Sequence, residues 1–160
     1  MGSTSDLPVV RKAADFLNDM EIPFEMIALS AHRTPDEVAD MARNAASRGV
    51  KVIIAAAGMA AALPGVIASM TTLPVIGVPL DATMGGQDAL LSIVQMPPGI
   101  PVATVGINGA MNAAGLAVQI LALTDNAIAE RYADYRSHLS DKIVKANAEL
   151  ASIEYKFKTN

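Results

Sequence analysis

The run VKVIIAAA, Val50–Ala57, limits the possible folds of this chain more than any other stretch. Apart from one lysine it is apolar, and it lacks the alternation of a strand that has one face in water. Such a run is typical of a parallel strand that is buried on both faces. Phe24–Leu29, Pro74–Pro79 and Pro101–Ile107 are further strand candidates, and longer helical segments separate them. The pattern predicts an α/β domain with a parallel sheet.

Helices are expected at both ends of the chain. Ser5 or Asp6 can cap a first helix that continues through VVRKAADFLNDM and has Pro8 in its opening turn. From about Ala110 the chain is helical almost to its end, with a short loop near Thr124 and Asp125. The last of these helices is long and is predicted to pack an apolar stripe on its own domain or on a neighbouring subunit. That stripe consists of Tyr132, Tyr135, Leu139, Ile143, Leu150 and Ile153.

The helix between the first two strands has the clearest start. Thr34 is a favourable N-cap, Pro35 suits the first helical position, and Glu37 predicts a capping box with Thr34. Gly49 marks the end of this helix.

Composition excludes several classes of function. The 160 residues, without a repeat or a linker, predict a single domain spanning positions 1–160. The net charge of −4 argues against nucleic acid, and the lack of cysteine excludes disulfides and thiolate chemistry. His32 and His138 stand apart, so no metal site is expected. No signal peptide or apolar run of about 18 residues is evident, so we expect a cytoplasmic protein with no membrane partner. The apolar fraction of 52% predicts a homo-oligomer.

Ligands of parallel α/β sheets bind beyond the carboxyl ends of the strands, and three loops can reach that edge. The first is GSTSD, Gly2–Asp6, whose small residues and helix-start N–H groups suit a phosphate. Ser and Asp residues at a helix start are more often ordinary helix caps. Both interpretations remain open from the residues alone.

The second loop, SAHRTPD, combines three polar side chains that a capped helix does not require. Arg33 can bind a phosphate with two hydrogen bonds, and Ser30 can donate another. His32 is the candidate general acid or base, because histidine is the side chain most often used for proton transfer. A plain capped helix explains Thr34 and the residues after it, but not these three.

The third loop, AAAGMAAALPG, lies between Ala55 and Gly65. Its small side chains allow the backbone to approach a ligand closely, and they also suit tight packing of a helix on a sheet. The residues do not separate these two explanations.

Taken together, these motifs closely resemble the N5-carboxyaminoimidazole ribonucleotide mutase family of purine biosynthesis. GSTSD, SAHRTPD, AAALPG, PVIGVP, DALLSIVQMPPGIPVATVGI and NAAGLAVQILAL occur in the order and spacing of that family, over essentially the whole chain. The resemblance implies a flavodoxin-like, three-layer α/β/α domain in a homo-octamer. It implies transfer of a carboxylate from the exocyclic nitrogen to ring carbon C4 of an aminoimidazole ribonucleotide, with neither metal nor organic cofactor.

The resemblance also assigns roles to residues. Ser3, Ser30 and Arg33 match phosphate ligands, and Asp6 matches the aspartate that holds the ribose hydroxyls. His32 matches the general acid/base. In the third loop, Gly58, Ala62 and Leu63 are the expected substrate contacts.

The sequence departs from the family pattern at two places. Family members generally have histidine at the position of Ala62, and its replacement removes a polar group from the pocket wall. The family also places a short apolar strand directly before MGS, at the centre of the sheet. Without it, two neighbouring strands would lack a ladder partner, and Ser3 and Asp6 would be poorly anchored. A shortened start is the expected explanation for the second departure.

Three alternatives to the mutase remain, the first of them a sister activity that the resemblance implies. One is direct carboxylation of aminoimidazole ribonucleotide with CO2, and another is a catalytically impaired, nucleotide-binding homologue in which Ala62 has silenced the chemistry. The third is a flavin-binding module, which is disfavoured because a chain with no Trp and only 4% aromatic residues has little to stack on a flavin.

Overall fold

The computed structural model describes residues 1–159 and confirms the α/β architecture. Three parallel strands lie in the order β1-β2-β3, with β1 pairing Ile53 with Val75 of β2, and β2 pairing Ile76 with Ala103 of β3. The helices and strands in chain order are α1 Leu7–Asp19, α2 Pro35–Asn44, β1 Ile53–Ala57, α3 Leu63–Ala68, β2 Val75–Pro79, α4 Gln87–Val94, β3 Ala103–Thr104, α5 Ala110–Ala122 and α6 Asn126–Ala151. Short 3-10 turns occupy Thr4–Asp6, Ala46–Arg48 and Met84–Gly86.

The sheet is covered on both faces, as the unbroken apolar runs predict. On one face, α1 and α5 pack on the sheet through a cluster that includes Phe16, Ile76 and Val118. On the other face, α2, α3 and α4 form a second cluster around Val38 and Ile93. The strands β1 and β2 are almost entirely buried between these layers. The result is the three-layer arrangement expected of a flavodoxin-like domain.

Two strand predictions need correction. Phe24–Leu29 is not a strand in the structure. Among residues 1–159 its backbone makes two ladder-type hydrogen bonds, both with Met1: the Met1 amine donates to the Ile27 carbonyl over 3.1 Å and the Leu29 N–H donates to the Met1 carbonyl over 2.9 Å. The strand expected over Pro101–Ile107 is reduced to Ala103–Thr104. Pro101 has no N–H to donate, and the chain turns from Gly106 into α5.

The C-terminal helices have the predicted boundary. Asp125 caps α6, since its carboxylate accepts hydrogen bonds from the N–H groups of Ala127 and Ile128. The first part of the predicted apolar stripe packs within the domain, where Tyr135 makes an edge contact with Phe16 at 4.9 Å between ring centroids. The later part, from Leu139 onwards, is exposed. Within residues 1–159, no helix is both long and apolar enough to cross a bilayer.

Gly77 in β2 allows α3 and α4 to pack closely on one face of the sheet. A Cβ at this position would overlap Ile93 Cγ2 and lie 3.0 Å from Val102 Cγ1 and 3.4 Å from Pro64 Cβ. We therefore expect Gly77→Ala to lower the free energy of unfolding by about 1–3 kcal/mol, the usual cost of overpacking a core. Urea unfolding measures it, with Gly106→Ala as the matched control because a Cβ at 106 meets no atom within 4 Å. Equal urea midpoints for the two variants would contradict the packing argument.

Candidate active site at the carboxyl edge of the sheet

The first loop lies against the end of β1 and is closed by its own side chains. The Gly2 N–H donates to the Ala56 carbonyl over 3.2 Å, which places the loop at the carboxyl edge of the sheet. Ser3 and Asp6 form a capping box: the Asp6 carboxylate accepts from the Ser3 N–H over 2.9 Å, and the Ser3 hydroxyl oxygen accepts from the Ser5 N–H. The cap interpretation of these two residues is therefore present in the structure, and the cap holds their side chains within one turn.

The second loop contacts the first one directly. The Arg33 guanidinium donates from Nη2 to the Gly2 carbonyl over 3.0 Å and from Nε to the Ser30 hydroxyl over 3.3 Å. Arg33 is an exposed residue, so the guanidinium remains accessible beside the first loop. One hydrogen-bonded polar group is thus formed by Ser30, Arg33 and the Gly2–Asp6 turn.

Thr34 does not make the predicted capping box with Glu37. Its hydroxyl instead donates to the Ser30 carbonyl over 3.1 Å and accepts from the Ser30 N–H over 3.0 Å, so no side-chain cap bond is formed on α2. These bonds fix the turn that carries His32. The imidazole lies in this turn as an exposed side chain, one residue from Arg33.

The third loop packs closely against the loop that follows β2. A Cβ on Gly58 would lie 2.8 Å from Ala82 Cβ, so glycine is required for this approach. Met59 and Ala61 have positive φ angles of 56° and 28°, a strained conformation for residues with a side chain. The loop therefore keeps a conformation that its local sequence does not favour.

Ala62 and Leu63 differ in their access to the edge of the sheet. Ala62 is half-buried at the start of α3, whereas the Leu63 side chain is 4% exposed and belongs to the core under the loop. A substrate contact from Leu63 would have to come from its backbone. Of the two residues, Ala62 is the one whose replacement can change the wall of the site.

Sequence reasoning missed two polar links at this edge. Asn108, with a φ of 57°, accepts a hydrogen bond from the Asp81 N–H over 3.1 Å and so joins the loops after β2 and β3. The Thr83 hydroxyl donates to the Asp88 carboxylate, and this hydrogen bond lowers the pKa of Asp88. The segment LDATMGGQD contains Asp81, Thr83 and Asp88, but nothing in its pattern indicated which residues would be their hydrogen-bond partners.

Comparison with known proteins places the chain in a family. A sequence model of the family described as AIR carboxylase matches residues 1–142. The chain belongs to the AIR carboxylase family. Its resemblance to mutases of this family, found from the motifs, is confirmed at the level of whole sequences.

Relatives in the AIR carboxylase family cover most of the chain. The N5-carboxyaminoimidazole ribonucleotide mutase of Thermotoga maritima is 50% identical over 157 residues, which are 98% of this chain and 92% of that protein. The mutase of Pyrococcus abyssi is 56% identical over 140 residues, 87% of this chain and 80% of that protein. Phosphoribosylaminoimidazole carboxylase of Candida glabrata is 48% identical over 156 residues, 97% of this chain and 27% of that much longer protein.

A solved structure of the AIR carboxylase family has the same fold. The crystal structure of Treponema denticola PurE is 31% identical to this chain, covers 94% of both chains and superposes with a TM-score of 0.82. The topology described above is therefore that of a family member.

Proposed function

We propose that this protein is an N5-carboxyaminoimidazole ribonucleotide mutase of de novo purine biosynthesis. The observation that carries the proposal is the 50% identity over 98% of the chain to a protein of that name. The arrangement of the first two loops supports it, because an exposed arginine and two serines lie around one helix start. Such a group suits the phosphate of a ribonucleotide.

The proposed roles divide the substrate into an anchored part and a reacting part. Ser3, Ser30 and Arg33 bind the phosphate, and Asp6 holds the ribose hydroxyls. Phosphate and ribose do not react, so these contacts supply binding energy that positions the imidazole ring. The wall of the substrate site on the β1 side is formed by Gly58, Ala62 and the backbone of Leu63.

His32 is the proposed proton carrier. In the reaction the protonated His32 imidazole donates its proton to the exocyclic nitrogen as the bond between that nitrogen and the carboxylate breaks, which leaves CO2 and the free amine. Carbon C4 of the ring then attacks CO2, and the proton on C4 passes to the His32 imidazole as the ring regains aromaticity. The protons balance, and the chemistry requires no redox partner. A pocket closed to water would keep CO2 from escaping between the two steps.

The second half of α6 bears on how copies of the chain assemble. The exposed apolar residues of the second half of α6, with Leu139 41% and Ile143 65% exposed, suit contacts between copies of the chain. We infer a homo-octamer in the cytoplasm from these residues and the family resemblance, and sedimentation velocity at micromolar concentration tests the octamer.

A labelled substrate tests the reaction. With N5-carboxyaminoimidazole ribonucleotide carrying a ¹³C carboxylate, the mutase should place most of the label on C4 even when unlabelled bicarbonate is present. Loss of the label to bicarbonate during turnover, with product from aminoimidazole ribonucleotide and bicarbonate alone, would instead establish a carboxylase. That is the second candidate, since the relatives from yeasts carry this name.

A run with Ala62→His in parallel tests the third possibility. If only the histidine variant converts the substrate, while both proteins bind it, the natural chain is an impaired homologue. Conversion by the unaltered chain excludes that outcome.

A further inference from the structure

The turn from Ser30 to Thr34 is closed by one hydroxyl that bonds both backbone polar groups of a single residue. The Thr34 hydroxyl accepts from the Ser30 N–H over 3.0 Å and donates to the Ser30 carbonyl over 3.1 Å. The Thr34 N–H also donates to that carbonyl, over 2.8 Å. A hydroxyl oxygen can donate and accept at once, which neither a carboxylate nor a methyl group can do. Three hydrogen bonds thus join the first residue of the turn to its last.

The same hydroxyl leaves the start of α2 without a side-chain cap. A threonine before a helix usually has an extended backbone, and its side chain accepts from an N–H group of the first turn, which stabilises the helix. Thr34 has instead a φ of −135° and a ψ of 56°, and it forms no such bond. The hydroxyl therefore stabilises the turn and not the helix. Departures from local rules of this kind occur mainly at functional or strained sites.

The turn carries two exposed side chains between two fixed points. Ala31 packs against the core cluster on the α2 side, in which Val38 is fully buried. Thr34, half-buried, fixes the other end of the turn through its bonds to Ser30. His32 lies between these two points, so the path of a short stretch of backbone sets where its imidazole lies.

The second exposed side chain, Arg33, depends less on the path of the turn. Its guanidinium ends a long, flexible chain and has its own bond to the Gly2 carbonyl, over 3.0 Å. A hydrogen bond from such a group to a phosphate adapts to a small movement of the backbone. A proton transfer adapts much less, because the donor and acceptor atoms must come within hydrogen-bond reach.

We propose that Thr34 is a positioning residue for the proton transfers of His32. This inference rests on the proposed mutase function, in which the imidazole donates a proton to the exocyclic nitrogen and takes one from C4. The Thr34 hydroxyl acts through the backbone of Ser30 and is not itself a substrate contact. Its loss would allow the turn to shift, and a displacement of about 1 Å can cost about 10²-fold in rate.

Thr34→Val tests the proposal, because valine has the size and branching of threonine but no hydroxyl. We expect kcat of the mutase reaction to fall by about 10- to 100-fold. The affinity for a ribonucleotide that does not react, measured by calorimetry, should fall by no more than about fivefold, since the phosphate contacts adapt. Thr34→Ser keeps the hydroxyl and should retain kcat within about threefold of the unaltered chain.

Two further variants separate positioning from a loss of stability. Thr34→Asn places one of the best capping residues before α2, but no single atom of its side chain both donates and accepts. Its urea midpoint should equal or exceed that of the unaltered chain, while kcat falls as in Thr34→Val. In a double variant with His32→Asn, Thr34→Val should lower the residual kcat by less than about twofold, because the two residues act as a unit.

Thr71→Val is the matched control. The Thr71 side chain is also half-buried, and its hydroxyl accepts from the Leu73 N–H over 3.2 Å. It lies in the loop before β2, at the edge of the sheet opposite to the candidate site. Removing this hydroxyl should leave kcat unchanged.

Full turnover by Thr34→Val would overturn the proposal. So would recovery of kcat in Thr34→Asn, which would show that Thr34 acts by stabilising α2, or an additive loss in the double variant with His32→Asn. If Thr34→Val does not fold, Thr34→Asn decides by the same loss of kcat. The unaltered chain is run in the same assay: no turnover there refutes the mutase function and this inference with it, whereas turnover there and in Thr34→Val refutes the positioning role alone.

Discussion

Replacing His32 with asparagine is expected to lower kcat for the mutase reaction by about 10²- to 10⁴-fold, the usual contribution of a general acid or base. Asparagine is similar in size and can hydrogen bond, but it does not titrate. Because the phosphate and ribose contacts come from other residues, the affinity for the ribonucleotide should change by no more than a few fold. Turnover is followed by the appearance of the C4-carboxylated product, and affinity by calorimetry with a ribonucleotide that does not react.

The chain supplies a matched control for this substitution. His138 is the other histidine, and it lies exposed on α6, where its Nδ1 is 2.9 Å from the Asp134 carbonyl. His138→Asn changes the same chemical group far along the chain and should leave kcat unchanged. Substantial turnover by His32→Asn would refute the proton-transfer role, and an equal loss in both variants would point to a general effect on folding or assembly.

The fold could be predicted largely because its strands are buried on both faces. A run such as VKVIIAAA has few alternatives, and two helix starts, at Pro35 and after Asp125, follow from local chemistry. These signals lie within a few residues of the feature that they predict.

The failures have a different origin, because they depend on partners distant in sequence. Phe24–Leu29 has the residues of a strand, but a strand needs a continuous ladder of hydrogen bonds, and in the part of the chain that the structure describes its backbone bonds Met1 at two points. The capping box expected at Thr34 does not form, because the Thr34 hydroxyl bonds Ser30 instead. A capping box is found at Ser3. The preference of a residue type for a helix cap does not determine which of two available hydrogen-bond partners its side chain will bond.

The candidate site also has contacts that could be predicted from the sequence and contacts that could not. That SAHRTPD and GSTSD would lie close together followed from the rule that loops at one edge of a parallel sheet converge, and the bond from Arg33 to the Gly2 carbonyl agrees with it. The links from Asn108 to Asp81 and from Thr83 to Asp88 join positions whose pairing depends on backbone turns with positive φ, at Asn108 and Met84. Such turns are set by packing rather than by the local sequence.

Arg33 should be the residue on which recognition of the phosphate depends most. A guanidinium can give two parallel hydrogen bonds to a phosphate, whereas an ammonium acts as a point charge. Hydrogen bonds to charged groups contribute about 1.5–3 kcal/mol, so Arg33→Ala should weaken ribonucleotide binding by about 10- to 100-fold. Arg33→Lys should recover part of that loss. Since the phosphate does not react, KM should rise while kcat changes much less.

Shortening the ligand shows whether the loss arises at the phosphate. If Arg33 binds that group, Arg33→Ala and the unaltered chain should bind the corresponding nucleoside, which lacks the phosphate, with the same affinity. Arg43 is an exposed arginine in the last turn of α2, the helix that follows the Arg33 loop, so Arg43→Lys is the control for loss of a guanidinium and should leave both affinities unchanged. An equal loss of nucleoside and ribonucleotide affinity in Arg33→Ala would mean that Arg33 acts by holding the first loop through the Gly2 carbonyl, because a displaced loop would disturb the Asp6 contact with the ribose in both ligands.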